Sequence, residues 1–465
     1  MFNEKMNTYL FYGLLGIVVY ILIYNILFYN PILGYDALAH NAYVDYLAMY
    51  LPKTFNLPDQ INTREFFNPP IGYIVPSVAQ VICRNIIDSI DYVRDCKPVY
   101  GVATQIFQSV LYVVTIFINL YTLKIINNSK KIVNFSYLIL ISILAVNYRT
   151  ISMIRGEPYI IFFLSLFLLL IQKAKILEFE FSYKQIIFCG IVIGGIALSR
   201  QWGFLLFPPL IILIFSKETI NKFKYIKFWT LSGLLGFIMS GWFYIRLYLN
   251  YGTFTAFNMN SNGFSLTNQP LSFYFPSLEN ISHLFSKPIR PYLDNQFLSI
   301  LYSDLWGDYW GYFVFTSRFL DFGRGQELIG DYLGRVNLVS LFAFLIIIYL
   351  YVKANNTNKN KFILKYINLA VLSSFIGYLI FTISYPVDSG DTIKATYIIQ
   401  LFHLIVFMAS IHLEKLKRSN EKFYNILTVT LGLVFVHNFQ TYLSHFPQNF
   451  YESYINDILL NLIVH

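Results

Sequence analysis

Long apolar runs constrain this chain more than any other feature of its sequence. Several of them approach or exceed the roughly 20 residues that a helix needs to cross a bilayer. Of the 465 residues, 56% are hydrophobic and only 13% are charged, which is too few charges to cover a water-soluble protein of this size. The sequence therefore predicts an all-α polytopic membrane protein. The first run, residues 9–29, is expected to be retained, because no small-residue cleavage site follows it.

The spacing of these runs predicts about 11 transmembrane helices, several of them short. We expect the spans at residues 9–29, 99–121, 132–147, 158–171, 185–198, 204–216, 228–249, 336–353, 363–384, 396–413 and 423–440. Residues 1–440 then form one transmembrane domain with large outer loops at 30–98 and 250–335. Residues 441–465 form a short C-terminal outer segment.

Lysine sets the expected orientation. The connections rich in lysine alternate along the chain with lysine-poor ones and lie at residues 122–131, 172–184, 217–227, 353–365 and 414–422. By the positive-inside rule these connections and the N-terminus face the cytoplasm, and both large loops face outward. The net charge of +9 then suits an anionic membrane surface, and it does not indicate nucleic-acid binding.

Arginine is distributed differently from lysine, because nearly all of it falls in or beside the outer loops. A guanidinium grips phosphate or carboxylate through a planar fork, whereas lysine is sufficient for topology. We therefore expect some of these arginines to bind an anionic group. Ordinary ion pairing with the acids on the same side is the alternative interpretation.

The stretch "GYDALAHNAYVDYL", residues 34–47, directly follows the first span. Asp36 and His40 are four residues apart and share a helix face, which Tyr43 and Leu47 continue. This face predicts an amphipathic helix lying on the bilayer surface. Asp36 is either a base whose pKa is raised by partial desolvation or simply the N-cap of this helix.

Further motifs follow in order. "REFFNPPIGYIVPS" begins at Arg64, "SMIRGEPYIIFFLSLF" at 152, "ALSRQWGFLLFPPLII" at 197, "GWFYIRLYLNYGTF" at 241 and "GDTIKATYIIQL" at 390. Together with the early Asp36 and His40, their order and common sidedness resemble the C-type glycosyltransferase superfold. The chain is most similar to the bacterial relatives of protein O-mannosyltransferases and aminoarabinose transferases.

The resemblance implies an inverting glycosyltransferase that moves a sugar from a polyprenyl-phosphate donor to an acceptor hydroxyl on a lipid, glycan or protein. The reaction would take place on the outer face of a bacterial inner membrane. Asp36 would be the catalytic base, and Glu157 is the candidate for a second acid. The residues expected to bind substrate are His40, Arg64, Glu65, Asn68, Arg155, Glu157, Arg200, Gln201, Arg246, Lys394 and Tyr397.

Several alternatives remain open at this level. The chain could instead be a transporter or flippase of lipid-linked saccharide, or an O-antigen polymerase or ligase. Lys394 could pair with Asp388 or Asp391, and Cys83 and Cys96 could be bridged or free. The aromatic stretch 303–313, "SDLWGDYWGYF", could stack on sugars or anchor at the interface. No histidine cluster with metal spacing is present, so a divalent metal is not indicated, but a requirement for one stays open.

Overall fold

The fold is helical throughout the part of the chain that can be described. A computed structural model describes residues 4–30, 34–87, 96–128, 134–173, 181–216, 221–290, 292–314, 324–355 and 361–444, and it contains no strand within them. This confirms the predicted all-α class. Of the predicted C-terminal segment 441–465, all but the first four residues lie outside the described ranges.

The described residues up to Tyr251 form ten α-helices. They are α1 (Glu4–Phe28), α2 (Ala37–Tyr50), α3 (Ile71–Ile87), α4 (Lys97–Ile126), α5 (Phe135–Ser142), α6 (Ala145–Ser152), α7 (Glu157–Lys173), α8 (Tyr183–Ser199), α9 (Pro208–Ile212) and α10 (Lys222–Tyr251). Two short 3₁₀ helices, Gln201–Leu206 and Leu213–Phe215, flank α9.

The second half begins with short helices and ends with long ones. They are α11 (Leu271–Tyr274), α12 (Leu278–Ser286), α13 (Phe297–Trp306), α14 (Arg324–Ala354), α15 (Lys361–Ser384), α16 (Ile399–Ser419) and α17 (Glu421–His437). Further 3₁₀ helices cover Leu266–Asn268, Ala395–Ile398 and Phe439–Tyr442.

Six helices among the described residues are long and apolar enough to cross a membrane. They are Lys5–Phe28, Lys97–Ile126, Lys222–Tyr251, Gly330–Ala354, Phe362–Ser384 and Ala395–Ser419. A seventh span is added if α5 and α6, which meet at a 68° bend, are taken as one. The chain is therefore an α-helical polytopic membrane protein.

The predicted number of spans is not confirmed. The expected spans 158–171, 185–198 and 423–440 correspond to α7, α8 and α17, which have 17 residues each. At 1.5 Å per residue such a helix is about 25 Å long, somewhat less than the hydrocarbon thickness of about 30 Å. The expected span 204–216 is divided between α9 and the two 3₁₀ helices beside it.

The helix α16 lies at the centre of the bundle. Within its most apolar window 83% of the residues are buried, against 33% for α1. The chain places Gln400 and His403 on α16, and both side chains are buried among neighbouring helices. Neighbouring helices α5, α7, α14, α15 and α17 pack against α16. Lysine occurs in the last turns of α4, α7 and α14, at Lys124, Lys173 and Lys353.

The predicted amphipathic helix is present as α2. The face that the pattern assigned to the bilayer surface is instead buried within the protein. His40, Tyr43 and Leu47 are buried. The Tyr43 ring stacks on Tyr73 of α3 at 3.9 Å between centroids. The apolar face of α2 therefore packs against α3, where aromatic side chains cover it.

The first loop is also closed by a covalent bond. Cys83 in α3 and Cys96 immediately before α4 form a disulfide, with 6.0 Å between their Cα atoms. This decides the alternative that the sequence left open. It fixes the end of α3 beside the start of α4.

Candidate functional site

A cavity of about 390 Å³ lies at the end of the bundle opposite the lysine-bearing helix ends. Here α1 and α15 end and the segment before α16 begins. Five of the predicted site residues line this cavity: Asp36, Arg64, Glu65, Lys394 and Tyr397. The fold thus brings together residues from the first loop and from the end of the chain.

The tight turn before α2 directs Asp36 toward the cavity. Gly34 and Asp36 both have positive φ, 125° and 55°, a region that glycine enters freely and aspartate tolerates. Asp36 occupies the N-cap position, but its side chain makes no capping hydrogen bond. Its carboxylate instead accepts hydrogen bonds from Arg64 Nη2 at 2.5 Å and Lys394 Nζ at 3.1 Å.

These cations reverse the expected shift of the Asp36 pKa. Burial alone would raise that pKa, but Lys394, with Arg155 and Arg64, lowers it well below its usual range. The sequence-based expectation of a raised pKa is therefore wrong. Asp36 is an ionised carboxylate, held by the ammonium of Lys394 and the guanidinium of Arg64.

Glu65 lines the same cavity and shifts in the opposite direction. Burial raises the pKa of Glu65, although Arg200 opposes this shift. Asn68 Nδ2 donates to its carboxylate, and Arg200 Nη1 lies 3.7 Å away. Two carboxyl groups whose pKa values are pushed apart can serve different roles at one site.

Lys394 is surrounded by aromatic rings. Its Nζ lies 5.3 Å from the ring centroids of both Tyr35 and Tyr397, and 5.9 Å from that of Trp310. Burial lowers the pKa of Lys394, but Tyr397 and Asp36 together raise it above its ordinary value. The alternative in which Lys394 pairs with Asp388 or Asp391 is not what the structure shows, because its carboxylate partner is Asp36.

A further cation lines the cavity and was missing from the predicted site. The Arg290 guanidinium lies 4.9 Å from the Trp310 ring centroid and 5.9 Å from that of Tyr312. Asp391 faces it at 3.8 Å. The only sequence signal for Arg290 is the use of arginine in a chain that otherwise relies on lysine.

The aromatic stretch 303–313 forms the wall behind these cations. Trp306 and Trp310 are both 1% exposed, and Trp310 Nε1 donates to the Ile393 carbonyl at 3.1 Å. Trp310 and Tyr312 also line the cavity, so the stretch is part of the cavity wall, and its stacking on a sugar stays a prediction. It holds Lys394 and Arg290 in position.

Asp304 couples the two segments that carry the ion pair, a role that sequence reasoning missed. Its carboxylate accepts hydrogen bonds from Tyr35 Oη at 3.0 Å and from the Ala395 amide at 2.7 Å. Tyr35 precedes Asp36 and Ala395 follows Lys394 in the chain. Arg149 Nη2 neutralises Asp304 at 2.9 Å, so the buried charge is paired.

Behind the cavity lies a buried polar layer that contains four more predicted residues: Asn68, Arg155, Glu157 and Arg200. The Arg200 Nε donates to Glu157 Oε1 at 3.0 Å, and Arg155 Nη1 lies 3.8 Å from the same oxygen. Arg200 Nη1 also donates to Asn68. Glu157 does not line the cavity, since its carboxylate faces the two arginines.

The His40 imidazole hydrogen-bonds to Tyr73, whereas its main-chain amide donates to the Asp36 carbonyl at 3.1 Å. Its Nδ1 lies 2.7 Å from Tyr73 Oη, and Tyr73 Oη also accepts from Asn68 Nδ2 at 3.1 Å. Burial lowers the pKa of His40 well below its ordinary value, so the imidazole is neutral. It supports the layer behind Asp36.

Two predicted binding residues hold backbone segments and do not reach the cavity. Arg246 Nη2 donates to the carbonyls of Leu57 and Pro58 at 3.1 and 2.6 Å. Gln201 Nε2 donates to Phe67 O at 2.9 Å. Their position in or beside a span suggested substrate contact. In the structure, however, their side chains donate to main-chain carbonyls of the first loop.

Metal-binding geometry and similarity to known proteins give no further information about this site. Within the described ranges, no three histidine, cysteine, aspartate or glutamate side chains are grouped so that they could hold a metal ion. No protein family matches the chain, and neither the curated proteins nor the solved structures gave a match. Functional inference therefore rests on the site and its chemistry.

Proposed function

We propose that this protein is an inverting glycosyltransferase that uses a polyprenyl-phosphate-linked sugar and transfers the sugar to an acceptor hydroxyl. The observation that carries this proposal is the ion pair between Asp36 and Lys394, 3.1 Å apart on the wall of a cavity at one end of a membrane bundle. A carboxylate base and a cation for phosphate are the two groups that such a transfer needs.

The proposed reaction assigns a role to each partner. The acceptor oxygen attacks the anomeric carbon and forms the new C–O bond, while Asp36 takes the hydroxyl proton. The bond between that carbon and the phosphate oxygen breaks, and the polyprenyl phosphate leaves with the electron pair. Lys394 and Arg290 stabilise the negative charge that develops on the phosphate.

The low pKa of Asp36 beside its two cations fits this scheme. A donor phosphate competes with Asp36 for Lys394, and the pKa of a carboxylate rises when a neighbouring cation turns to another anion. The base therefore becomes stronger only when the donor occupies the site. The pKa of Glu65 is raised, and its carboxyl group can accept a hydrogen bond from a sugar hydroxyl or, when protonated, donate one to it.

The proposal includes the finer architecture suggested by the sequence motifs. It comprises a C-type glycosyltransferase fold with eleven crossings, the cavity on the outer side of a bacterial inner membrane and a cytoplasmic N-terminus. The lysines at the opposite helix ends support this orientation. The Cys83–Cys96 disulfide also supports it, because disulfides persist in oxidising compartments.

Two other functions are each favoured by one observation. The 68° bend between α5 and α6 is the kind of broken helix found in transporters. Arg290, on a late loop, lines the cavity as an arginine of an O-antigen polymerase or ligase would. Neither observation accounts for the ionised Asp36 beside Lys394.

Mass spectrometry of polyprenyl-phosphate sugars and surface glycans tests the proposal. Cells that lack the gene would be complemented with wild type, Asp36→Asn or Asp45→Asn at matched expression. Asp45 is the matched control because it lies on α2, is partly exposed and pairs with Arg84 at 3.6 Å. We expect Asp36→Asn to lower transfer by about 10²–10⁴-fold, the usual contribution of a general base.

The outcomes separate the functions. Accumulation of a lipid-linked sugar in the deletion strain and with Asp36→Asn, but not with Asp45→Asn, supports the transferase. A wild-type glycan profile with Asp36→Asn would exclude Asp36 as the base. Accumulation of the lipid-linked sugar confined to the inner leaflet would instead indicate a flippase.

A further inference from the structure

The segment 252–286, between α10 and α13, has an unusual composition for a loop of this length. It contains no lysine or arginine, and Glu279 is its single acidic residue. The nearest basic residues are Arg246 before the segment and Lys287 directly after it. A loop surrounded by water would not normally exclude charge to this extent.

The segment also exposes large apolar side chains. Leu271, Phe275 and Leu278 are 74%, 71% and 87% exposed, and Phe264 and Leu266 are exposed as well. These side chains all fall within residues 264–278, whereas apolar residues exposed singly are ordinary. In contact with water such a surface would favour aggregation, so something apolar covers it.

Hydrogen bonds fix the first half of this segment at the end of a membrane helix. The Asn262 amide donates to Ser384 O at 2.9 Å, and Gln269 Nε2 donates to Thr382 O at 2.7 Å. Ser384 is the last residue of α15, whose candidate span is Phe362–Ser384. The segment therefore lies level with the boundary of the membrane.

The second half is attached to another span at the same level. The Asn337 Nδ2 of α14 donates to Leu284 O at 2.9 Å. A Cβ atom at Gly334 would lie 2.5 Å from Phe285 O, so α12 and the start of α14 are in direct contact. Gly330 begins the candidate span of α14. Both ends of the apolar surface are thus held beside lipid-facing helices.

From these observations we infer that segment 252–286 is embedded in the interfacial layer of the bilayer and that lipid chains cover its apolar side chains. The two spans that hold the segment also expose apolar side chains, at Leu338 and Phe342 of α14 and at Ile376 and Ile380 of α15. A segment without positive charge at this depth avoids the cost of burying ammonium or guanidinium groups. It binds the membrane as an interfacial helix does, through apolar area.

The same segment also borders the cavity. Phe257, Asn258 and Met259 line the cavity, while Phe254 and Phe264 on either side of them are exposed. A lipid-linked substrate can therefore keep its isoprenoid chain in the bilayer along this segment while its phosphate reaches Lys394. This second step rests on the proposed function, whereas the bilayer contact does not.

Site-directed spin labelling tests the bilayer contact directly. Purified Leu271→Cys would carry a nitroxide in vesicles of phosphatidylethanolamine and phosphatidylglycerol. The controls are Leu345→Cys, on the exposed side of the α14 span, and Lys422→Cys, exposed near the start of α17. The native cysteines give little background, since Cys189 is buried and Cys83 is bonded to Cys96.

Collision rates with oxygen and with a water-soluble nickel chelate decide the result. We expect the Leu271 label to collide more with oxygen than with the chelate, as the Leu345 label does. Chelate accessibility equal to that of the Lys422 label would overturn the inference. Protection from both relaxing agents would also overturn it, because a protein surface would then cover the segment.

A binding experiment tests the path for the substrate lipid. Undecaprenyl phosphate in the same vesicles and water-soluble geranyl phosphate would be titrated while tryptophan fluorescence is recorded, since Trp310 borders the cavity. We expect Leu271→Glu combined with Leu278→Glu to weaken undecaprenyl phosphate binding by about tenfold and to leave geranyl phosphate binding unchanged. Ser282→Glu, exposed on the same α12 helix, is the matched control.

The two inferences fail in different ways. If wild type binds neither phosphate, the proposed function fails and the spin-label result stands by itself. If wild type binds both phosphates and the double variant binds undecaprenyl phosphate normally, the segment is not the path for the lipid. Equal weakening by Ser282→Glu would show a general effect of added charge and would overturn the path as well.

Discussion

Asp36 and Lys394 are 358 positions apart in the chain and form one ion pair in the folded protein. Each would be costly to bury alone, and each has further partners: Arg64 for Asp36, and the rings of Tyr35 and Tyr397 for Lys394. Their charges hold the pKa of Asp36 low and that of Lys394 high. The pair is therefore fully ionised at neutral pH, and a phosphate that enters the cavity can exchange with the carboxylate.

The substitution Lys394→Gln tests how far this lysine controls Asp36. A base must be ionised to accept a proton, so activity falls as the pH drops through its pKa. Loss of Lys394 raises the pKa of Asp36, and we expect the acid limb of the kcat/KM profile to move up by about 1–3 pH units. The pH dependence of transfer by the purified protein in vesicles measures this shift.

Two variants control for effects other than charge. Lys394→Arg keeps the cation and is expected to leave the acid limb near its wild-type position. Arg84→Gln removes an exposed cation that pairs with Asp45 at 3.6 Å, outside the cavity. An acid limb that stays in place for Lys394→Gln would show that Asp36 is not the titrating base.

At the scale of elements, the site depends on close packing between helix ends. A Cβ atom added to Gly156 would lie 2.0 Å from Ser199 O, and one added to Gly72 would lie 2.9 Å from the Arg155 backbone. The start of α7, the end of α8 and the start of α3 therefore touch through their main chains. This packing places Glu157 and Arg200 behind the cavity.

We expect Gly156→Ala to destabilise the protein by about 1–3 kcal/mol or more, the cost of overpacking a rigid contact. The backbone oxygen of Ser199 cannot rotate away as a side chain could, so α7 and α8 must separate. Thermal unfolding in detergent, followed by the fluorescence of a thiol dye, measures the effect. Gly432→Ala in α17 is the matched control, since no atom lies within 4 Å of its added Cβ, and it is expected to be neutral or slightly stabilising. Equal stability of both variants would contradict the close approach of α7 and α8.

The order of motifs in the sequence led us to expect Asp36, Arg64, Glu65 and Lys394 near one another, and all four line one cavity; their roles stay predictions. It was not enough to predict the partners of Arg246, because the carbonyls of Leu57 and Pro58 come from a loop with no periodic pattern. Asp304 was missed for the same reason. Its importance comes from two hydrogen bonds to distant segments, which local spacing cannot reveal.

At the scale of the whole molecule, hydrophobicity correctly predicted an all-α membrane protein. The number of membrane crossings that it predicted is not confirmed. Apolar runs identify α1, α4, α10, α14, α15 and α16 as candidate spans. Hydropathy gives no account of where α7, α8 and α17 lie, since each has 17 residues. Such helices pack against neighbours in the bundle, and their depth depends on tertiary packing.

The proposed orientation makes a prediction for intact cells. Ile61→Cys, in the loop before α3, is expected to react with a membrane-impermeant maleimide, because Ile61 is 93% exposed and lies on the cavity side. Lys422→Cys is expected to react only after the membrane is permeabilised. Gel shift of the labelled protein measures both reactions. The reverse pattern would place the cavity in the cytoplasm.

The distance along the chain between Asp36 and Lys394 also has a consequence for biogenesis. A ribosome releases the turn that carries Asp36 early, whereas Lys394 follows only after α15 has been synthesised. During that interval the nascent protein holds a carboxylate without its main counter-ion and a cavity without one wall. If the protein is the proposed enzyme, we therefore expect it to become active only after Lys394 has been synthesised and has reached Asp36.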